Sequence, residues 1–505
     1  MPNNDYFSFQ RLAEDIAALR RPESFKRMPV LPLLMALLHP LFGGPQPYLS
    51  AAIAVNIACS LGLLYVVYRV ALHIVPRATA LVVLLLAGAS QFQVMARQPL
   101  VEPALGFWIA MTVWLRLRRQ PAAWISLGLA ALCRVEALIL IPIFLAEHWL
   151  PPSARAGESR AADGDPTPLA LPTAPGASIT AAGAQPGLAS SRGRGASDLR
   201  RDLVAATAAA LPGLLWTQGD GSGGYLALME AMHFQPNWDF PLLAVEQALG
   251  GWWDAPLAWL WLFGAPTTLL GLTALWRRSP RSAWLLAASY LALTAVVTAF
   301  GIAKTRYAYA GQWLPFLAFA QGLVTVADSL SGGLRSRERL ARGLALAAAL
   351  LLVLPLLTGS LRRQRDEQHW IRYYAYEAHL LGAWMQQRSA EVSGIVSLVP
   401  SQLRFMLPQV PTERIKGFEE LVADGADPGA LAAEMRRRGL SHVAYTYRAR
   451  PETADQRYYW REINGDMAVL FESGAPVAGF RHVATLPIDP ALQKADVQVY
   501  RLDPP

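Results

Sequence analysis

The candidates for chemistry in this chain are the ionisable side chains beside its apolar stretches. A charge within or at the edge of an apolar layer is costly, so such a residue is a functional candidate. Asp5 precedes the amphipathic stretch YFSFQRLAEDIAAL. A carboxylate there either caps a helix N-terminus or takes a proton as a general base. Glu102 stands directly before Pro103 and suits the first turn of a helix, where the helix dipole favours an acid.

Cations accompany these acids at two places. Lys304, Arg306 and Tyr307 lie in KTRYAYAGQWLP, and Arg27 opens RMPVLPLLMALLHPLFGG. Arginine offers a planar fork of donors that matches phosphate oxygens, so the sequence predicts a phosphate clamp. The alternative is that these cations only anchor the chain beside lipid headgroups. The prolines after Arg27 exclude an undisturbed spanning helix and indicate a re-entrant or interfacial segment.

Other candidate sites rest on weaker patterns. His233 and Asp239 could bind an acceptor or a divalent cation, but one histidine and one aspartate define no particular metal, and the cofactor stays open. Arg134 and Glu136 are two positions apart and would face different sides of an intact helix. The sequence therefore predicts a break there, and the alternative is that each has its own partner. The chain has no phosphate-binding P-loop and no serine nucleophile elbow, which argues against ATP-driven transport and serine hydrolysis.

The elements that must position these residues are membrane helices. Of the 505 residues, 53% are hydrophobic and 16% are charged, whereas soluble chains carry about 25% charged residues. The net charge of +8 falls in short arginine clusters between apolar runs, which argues against nucleic-acid binding. Stretches near the length of about 20 residues that a membrane crossing needs predict spans near 48–72, 78–95, 101–118, 203–218, 256–276, 282–301, 311–328 and 341–360.

The arginine clusters also predict the topology. They fall on one side only if residues 122–149 form a helical hairpin that enters and leaves by the same face. The expected domains are an outer loop with an interfacial helix at 1–47, membrane helices at 48–150, a disordered cytoplasmic loop at 151–201, membrane helices at 202–361 with an outer loop at 219–255, and a periplasmic α/β domain at 362–505. With an outer N-terminus and no first span, the chain looks as though it starts late, and whether a helix precedes this start site stays open.

The order of several segments carries a resemblance to a known superfamily. The acid Asp5 is followed by RMPVLP and FGG, then by VNIACSLGLLYVVYRVA, QPLVEPALGFWIA, LGLAALCRVEALILIP and TRYAYAGQWLPFLA. Over residues 3–360 this arrangement resembles the glycosyltransferase-C superfamily, in particular the protein O-mannosyltransferases and aminoarabinose transferases. The expected fold is a polytopic helical membrane protein with about eight spanning helices plus the hairpin and a small α/β soluble domain, and a C-terminal soluble domain is usual in the superfamily it resembles.

The resemblance also implies an activity. Such enzymes take a sugar from a polyprenyl-phosphate carrier and transfer it, usually with inversion, to a lipid, glycan or protein acceptor outside the cytoplasm. By that likeness Asp5 is the first-loop catalytic acid with Glu102 as a second carboxylate, and Arg27 and Arg306 lie near the donor phosphate. The expected location is the bacterial inner membrane.

Two other classes stay open. A transporter or lipid flippase would place ionisable groups near the bilayer midplane and show related halves, whereas the candidates here cluster at one rim and no internal repeat is evident. A non-catalytic pseudoenzyme is the third interpretation. An in-frame apolar segment upstream of Met1 would favour an intact enzyme.

Overall fold

The chain is described by a computed structural model that covers residues 4–22, 25, 27–44, 46–89, 96, 98–150, 191–218, 264–299, 309–330, 343, 347, 376–422, 427–445, 471, 476–488 and 496–504. It divides into two compact units. One unit runs from Ser8 to Arg363, and the other joins Met1–Phe7 to Gln364–Pro505. Each unit is described by itself below.

The first unit is helical throughout its described residues. Its helices are α1 (Asn4–Ala17, which begins in the other unit), α2 (Val30–Leu38), α3 (Pro47–Ile74), α4 (Arg77–Ala89), α5 (Glu102–Leu117), α6 (Ala122–Cys133), α7 (Leu140–Ala146), α8 (Ser191–Gln218), α9 (Ala265–Arg278), α10 (Pro280–Ala299) and α11 (Trp313–Leu330). The first residues of α3 and α10 are prolines, which suits a helix start because proline lacks the N–H that would stay unbonded there. Residues 191–201, which the sequence analysis assigns to the disordered loop, are helical in α8.

Two of the described helices are long and apolar enough to cross a membrane by length and composition, namely α3 and α10. The predicted count of eight spans is therefore not confirmed. α4 and α6 are apolar but shorter than a crossing needs, and most of the predicted span at 341–360 lies outside the described residues. Large apolar side chains nevertheless face outward on several helices, as a lipid-facing surface requires. Among them are Leu61, Ile125, Leu215, Leu269 and Leu291.

Glycines allow the closest helix contacts of this unit. A Cβ atom on Gly271 of α9 would lie 1.8 Å from the carbonyl oxygen of Ala318 in α11. A Cβ on Gly322 of α11 would likewise lie 1.9 Å from the carbonyl oxygen of Thr267. Because no side chain fits at either position, the two backbones approach directly, the packing that small residues permit between membrane helices.

The predicted break in the hairpin is observed. α6 ends at Cys133, Arg134 is extended with φ −155° and ψ 125°, and a 3₁₀ turn over Val135–Ile139 leads into α7. The two ends of the hairpin meet again, since the rings of Trp124 and Phe144 lie 6.1 Å apart. The chain thus leaves the hairpin at the end of the bundle where it entered. We call the end at Glu102 and Arg134 the outer end, and the end at Trp124 and Phe144 the inner end.

The second unit contains a five-stranded mixed sheet. Its strands are β1 (Ile395–Ser397), β2 (Ile415–Lys416), β3 (His442–Tyr445), β4 (Phe480–Leu486) and β5 (Val497–Leu502), arranged in the order β2-β1-β3-β5-β4. β1 pairs in parallel with β2 and β3, whereas β5 runs antiparallel to β3 and β4. β1, β3 and β5 fall within IVSLV (395–399), HVAYTY (442–447) and VQVYRL (497–502), the β-branched and aromatic runs of the sequence that predict strands.

Helices flank both faces of this sheet: α12 (376–387), α13 (Pro400–Met406) and α14 (Pro428–Arg438). Asp427 caps α14 by accepting a hydrogen bond from the N–H of Ala430 at 2.7 Å, and Gly439 ends the helix in the left-handed conformation that glycine adopts without strain. One face packs Val443 and Tyr500 beneath α14, and the other packs Ala444 and Val499 beneath α12. The predicted α/β character of the tail is therefore confirmed.

Candidate functional site

Three charged side chains meet at the outer end of the helical unit. Arg134 donates from Nη2 to Oε1 of Glu136 at 2.8 Å, and its Nη1 lies 3.6 Å from Oε1 of Glu102. Glu102 is the first residue of α5 and only 3% exposed. We call these three residues the outer triad. The extended backbone at the hairpin break explains it, because it turns Arg134 and Glu136 toward each other although they are only two positions apart.

The Arg27 segment lies beside the outer triad. Met28 is buried against Leu132 and Val135, which flank the hairpin break, and against Trp216 near the end of α8. The indole N–H of Trp216 donates to the carbonyl oxygen of Arg27 at 2.8 Å. The structure therefore places the Arg27 segment against the hairpin break that carries Arg134.

An aromatic contact orients the Arg27 side chain. Its guanidinium carbon lies 5.5 Å from the ring centroid of Phe9 in α1, within the range of a cation–π interaction. Phe9 is itself buried, together with Leu12 and Ala13, on the face that the sequence predicts to be apolar. Arg27 is half-buried, and this contact fixes the position of its guanidinium against α1.

Asp5 belongs to the other compact unit. It is the second residue of α1 and half-buried, so it lies inside the first turn and not at the N-cap position that the sequence suggested. There the positive end of the helix dipole stabilises its charge. Phe7, two residues further along α1, holds this end of the helix in its own unit. Its ring centroid lies 5.7 Å from that of Phe405 in α13.

Several predicted site residues lie outside the described residues. They are the donor-phosphate candidates Lys304, Arg306 and Tyr307 and the acceptor or metal candidates His233 and Asp239. Across the residues that the structure does describe, there is no group of three or more histidine, cysteine or acidic side chains that could hold a metal ion.

Sequence reasoning missed a second charged group, at the inner end. Arg116 donates to Phe144 O at 3.1 Å and lies 2.7 Å from both Glu147 and Asp202. Arg281 pairs with the same Glu147 at 2.9 Å. We call Arg116, Glu147, Asp202 and Arg281 the inner ion network.

Neighbouring groups complete the inner ion network. The indole N–H of Trp124 donates to Asp202 at 3.0 Å, and His148 contacts the other oxygen of that carboxylate at 2.9 Å. The network joins both halves of the hairpin to α5, α8 and α10. Arg116 and Arg281 lie in short arginine clusters at the ends of apolar runs, a pattern typical of solvated cytoplasmic loops, yet both are paired with acids. Those acids, next to arginine clusters at the ends of apolar runs, were the available signal.

The fold was compared with those of known proteins. No family model matches the sequence, and no curated protein matches it. Solved structures do match. ArnT from Cupriavidus metallidurans bound to undecaprenyl phosphate is 12% identical with a TM-score of 0.53, covering 99% of this chain and 94% of ArnT.

A second match is the archaeal oligosaccharyltransferase AglB from Archaeoglobus fulgidus in complex with an inhibitory peptide and a dolichol-phosphate. It is 13% identical with a TM-score of 0.51, covering 88% of this chain. The matched part spans 65% of the length of AglB. Both likenesses concern the fold, and the membrane-enzyme fold expected from the sequence is confirmed at that level. At these identities the likeness shows the fold and not the subtype.

Proposed function

We propose that this chain is an integral-membrane glycosyltransferase that transfers a sugar from a polyprenyl-phosphate donor to a lipid, glycan or protein acceptor on the extracytoplasmic side. The observation that carries the proposal is the fold shared with ArnT across 99% of the chain, because that structure was solved with undecaprenyl phosphate. The AglB structure contains a dolichol-phosphate, a carrier of the same chemical class. A transporter or flippase finds no comparable support.

The proposed reaction uses the acids and cations in different roles. Asp5 takes the proton of the acceptor hydroxyl as the oxygen attacks the anomeric carbon, a contribution of roughly 10²- to 10⁴-fold in rate. The bond from the anomeric carbon to the donor phosphate breaks, and its electron pair leaves with the phosphate. Attack opposite the leaving group gives inversion. Arg27, Lys304 and Arg306 stabilise the developing phosphate charge, and Tyr307 donates a hydrogen bond to it.

The outer triad supports this chemistry in the proposal. Glu102 and Glu136 hold Arg134 at the hairpin break, which fixes the backbone against which the Arg27 segment packs. The triad itself adds no positive charge, so the donor phosphate is met by Arg27, Lys304 and Arg306. His233 and Asp239 are the candidates for binding the acceptor or a divalent cation. The extracytoplasmic placement, the inner membrane as location and the periplasmic position of the α/β unit belong to the same proposal.

Lipid and glycan profiling of a deletion strain tests the activity, since the lost modification would identify sugar and acceptor. Complementation with Asp5→Asn should fail to restore that modification at wild-type expression. The matched control is Glu14→Gln, which removes one carboxylate from the same helix. Full restoration by the Asp5 variant would exclude Asp5 as the base, and an unchanged profile in the deletion strain would contradict the proposed function itself.

The donor site has a separate binding test. The full chain in an uncharged detergent is titrated with undecaprenyl phosphate, and Arg306→Ala should weaken binding at least tenfold. Arg278→Ala serves as the control because Arg278 is an exposed arginine at the end of α9. Equal affinity in wild type and Arg306→Ala would remove Arg306 from the phosphate site.

A further inference from the structure

An aromatic and arginine cluster lies on the outward surface of α3 and α5, toward the inner end. The guanidinium of Arg69 lies 5.6 Å from the ring centroid of Trp114, and that of Arg118 lies 5.4 Å from the same ring. Arg69 also donates from Nη1 to the hydroxyl of Tyr65 at 2.8 Å. Two cations are thus held against one indole, beside a tyrosine that is 56% exposed.

The helices that carry this cluster are nearly free of acids. Residues 47–101 and 103–135 contain no aspartate or glutamate. They include α3, α4, α6 and all of α5 except its first residue, Glu102, which lies at the outer end. Arg116, the penultimate residue of α5, is neutralised by the inner ion network. For Arg69 and Arg118, by contrast, no described carboxylate comes within ion-pair distance. Holding two like charges on one ring without an acid costs electrostatic free energy that a bound anion would offset.

The position of the cluster along α3 indicates which anion it meets. At about 1.5 Å per residue, Arg69 lies about 33 Å along the helix from Pro47. The hydrocarbon core of a bilayer is about 30 Å thick, so a spanning α3 places this guanidinium at the headgroup layer. Tryptophan and tyrosine concentrate at that layer, and arginines there attract anionic lipids.

We propose that Tyr65, Arg69, Trp114 and Arg118 form a binding site for the phosphate headgroup of an anionic phospholipid in the leaflet at the inner end. Trp114 presents both guanidinium groups, and Tyr65 occupies one donor of Arg69. The remaining N–H donors of the two guanidinium groups can donate hydrogen bonds to phosphodiester oxygens. The inference rests on the membrane placement in the proposed function, but it does not involve the residues assigned to sugar transfer.

Native mass spectrometry of the full chain in an uncharged detergent tests the site. Phosphatidylglycerol should bind with higher affinity than phosphatidylcholine, and the double variant R69Q/R118Q should bind phosphatidylglycerol at least tenfold more weakly. The matched control is R277Q/R278Q, which removes the same charge from exposed arginines at the end of α9. It should bind phosphatidylglycerol as the wild type does.

Four results would overturn the proposal. They are unchanged affinity in R69Q/R118Q, an equal loss in the control, equal binding of both lipids by the wild type, and displacement of the lipid by millimolar inorganic phosphate. The single variant R118Q changes one exposed residue, so it tests the site with little risk to folding. Asp5→Asn should bind phosphatidylglycerol normally, which separates a failure of this site from a failure of the proposed activity.

Discussion

Replacing Arg116 by methionine should destabilise the helical unit strongly. Methionine keeps an unbranched side chain that can fill the space of the arginine stem, but it removes the guanidinium. Arg116 is 5% exposed, and its guanidinium is the partner of Glu147, of Asp202 and of the Phe144 carbonyl. The substitution therefore leaves two acids in a site from which water is excluded.

The expected magnitude follows from what remains around those acids. Glu147 keeps Arg281 at 2.9 Å, whereas Asp202 keeps only the indole N–H of Trp124 and the ring of His148. Removing one partner of a buried ion pair costs about 3–5 kcal/mol, since the other charge stays uncompensated. The free energy of unfolding should fall by an amount in that range. It should not fall by the summed energies of all the lost bonds, because contributions within one network are not additive.

The assay is the unfolding midpoint of the purified chain in detergent, measured in chemical denaturant at neutral pH. Arg278→Met is the matched control, because Arg278 is exposed and its removal should change the free energy of unfolding by less than about 0.5 kcal/mol. The unfolding midpoint of Asp202→Asn should lie between those of Arg116→Met and Arg278→Met. If Arg116→Met unfolds at the same midpoint as Arg278→Met, the inner ion network does not stabilise the fold.

Two further predictions concern packing and pH. Gly322→Ala should lower the unfolding midpoint, because a Cβ there would lie 1.9 Å from the carbonyl oxygen of Thr267. In the control Gly43→Ala the added Cβ meets nothing within 4 Å, so the midpoint should not fall. Equal midpoints for the two variants would contradict the close helix contact. Burial lowers the pKa of His442 from 6.5 to about 4, so the folded state resists a protonation that the unfolded state accepts. The free energy of unfolding of the wild type should therefore fall by up to about 1.4 kcal/mol per pH unit as the pH is lowered from 6.5 to 4. His442→Gln should reduce this slope, which denaturant midpoints measured across this pH range would show.

Local patterns were enough to predict part of the fold. The position of the hairpin break follows from two charges that no intact helix could direct to one side, Arg134 and Glu136. The strands β1, β3 and β5 follow from short β-branched and aromatic runs. Such features depend on neighbours within a few residues, and one sequence contains all the information they need.

The inner ion network could not be predicted in the same way. Its members are separated in sequence by as many as 165 positions, from Arg116 to Arg281, and no periodicity links them. The positive-inside rule counts arginines near span ends as solvated, and it does not distinguish Arg116 from Arg118. Only the approach of α8 and α10 places Asp202 and Arg281 beside α5. The outer triad has the same limit, since Glu102 and Arg134 meet through packing of α5 on α6.

The two ends of the hairpin have complementary physical roles. α6 has 12 residues and α7 has 7, lengths at which an isolated helix is marginal, so tertiary contacts must hold them. At the inner end those contacts are charged and buried, and they join the hairpin to three other helices. Because these contacts fix the hairpin, its opposite end tolerates an irregular backbone. There the helix ends before Arg134, whose side chain contacts Glu136. Side chains at such a break are not constrained to helical positions, which is why the outer triad can form beside the Arg27 segment.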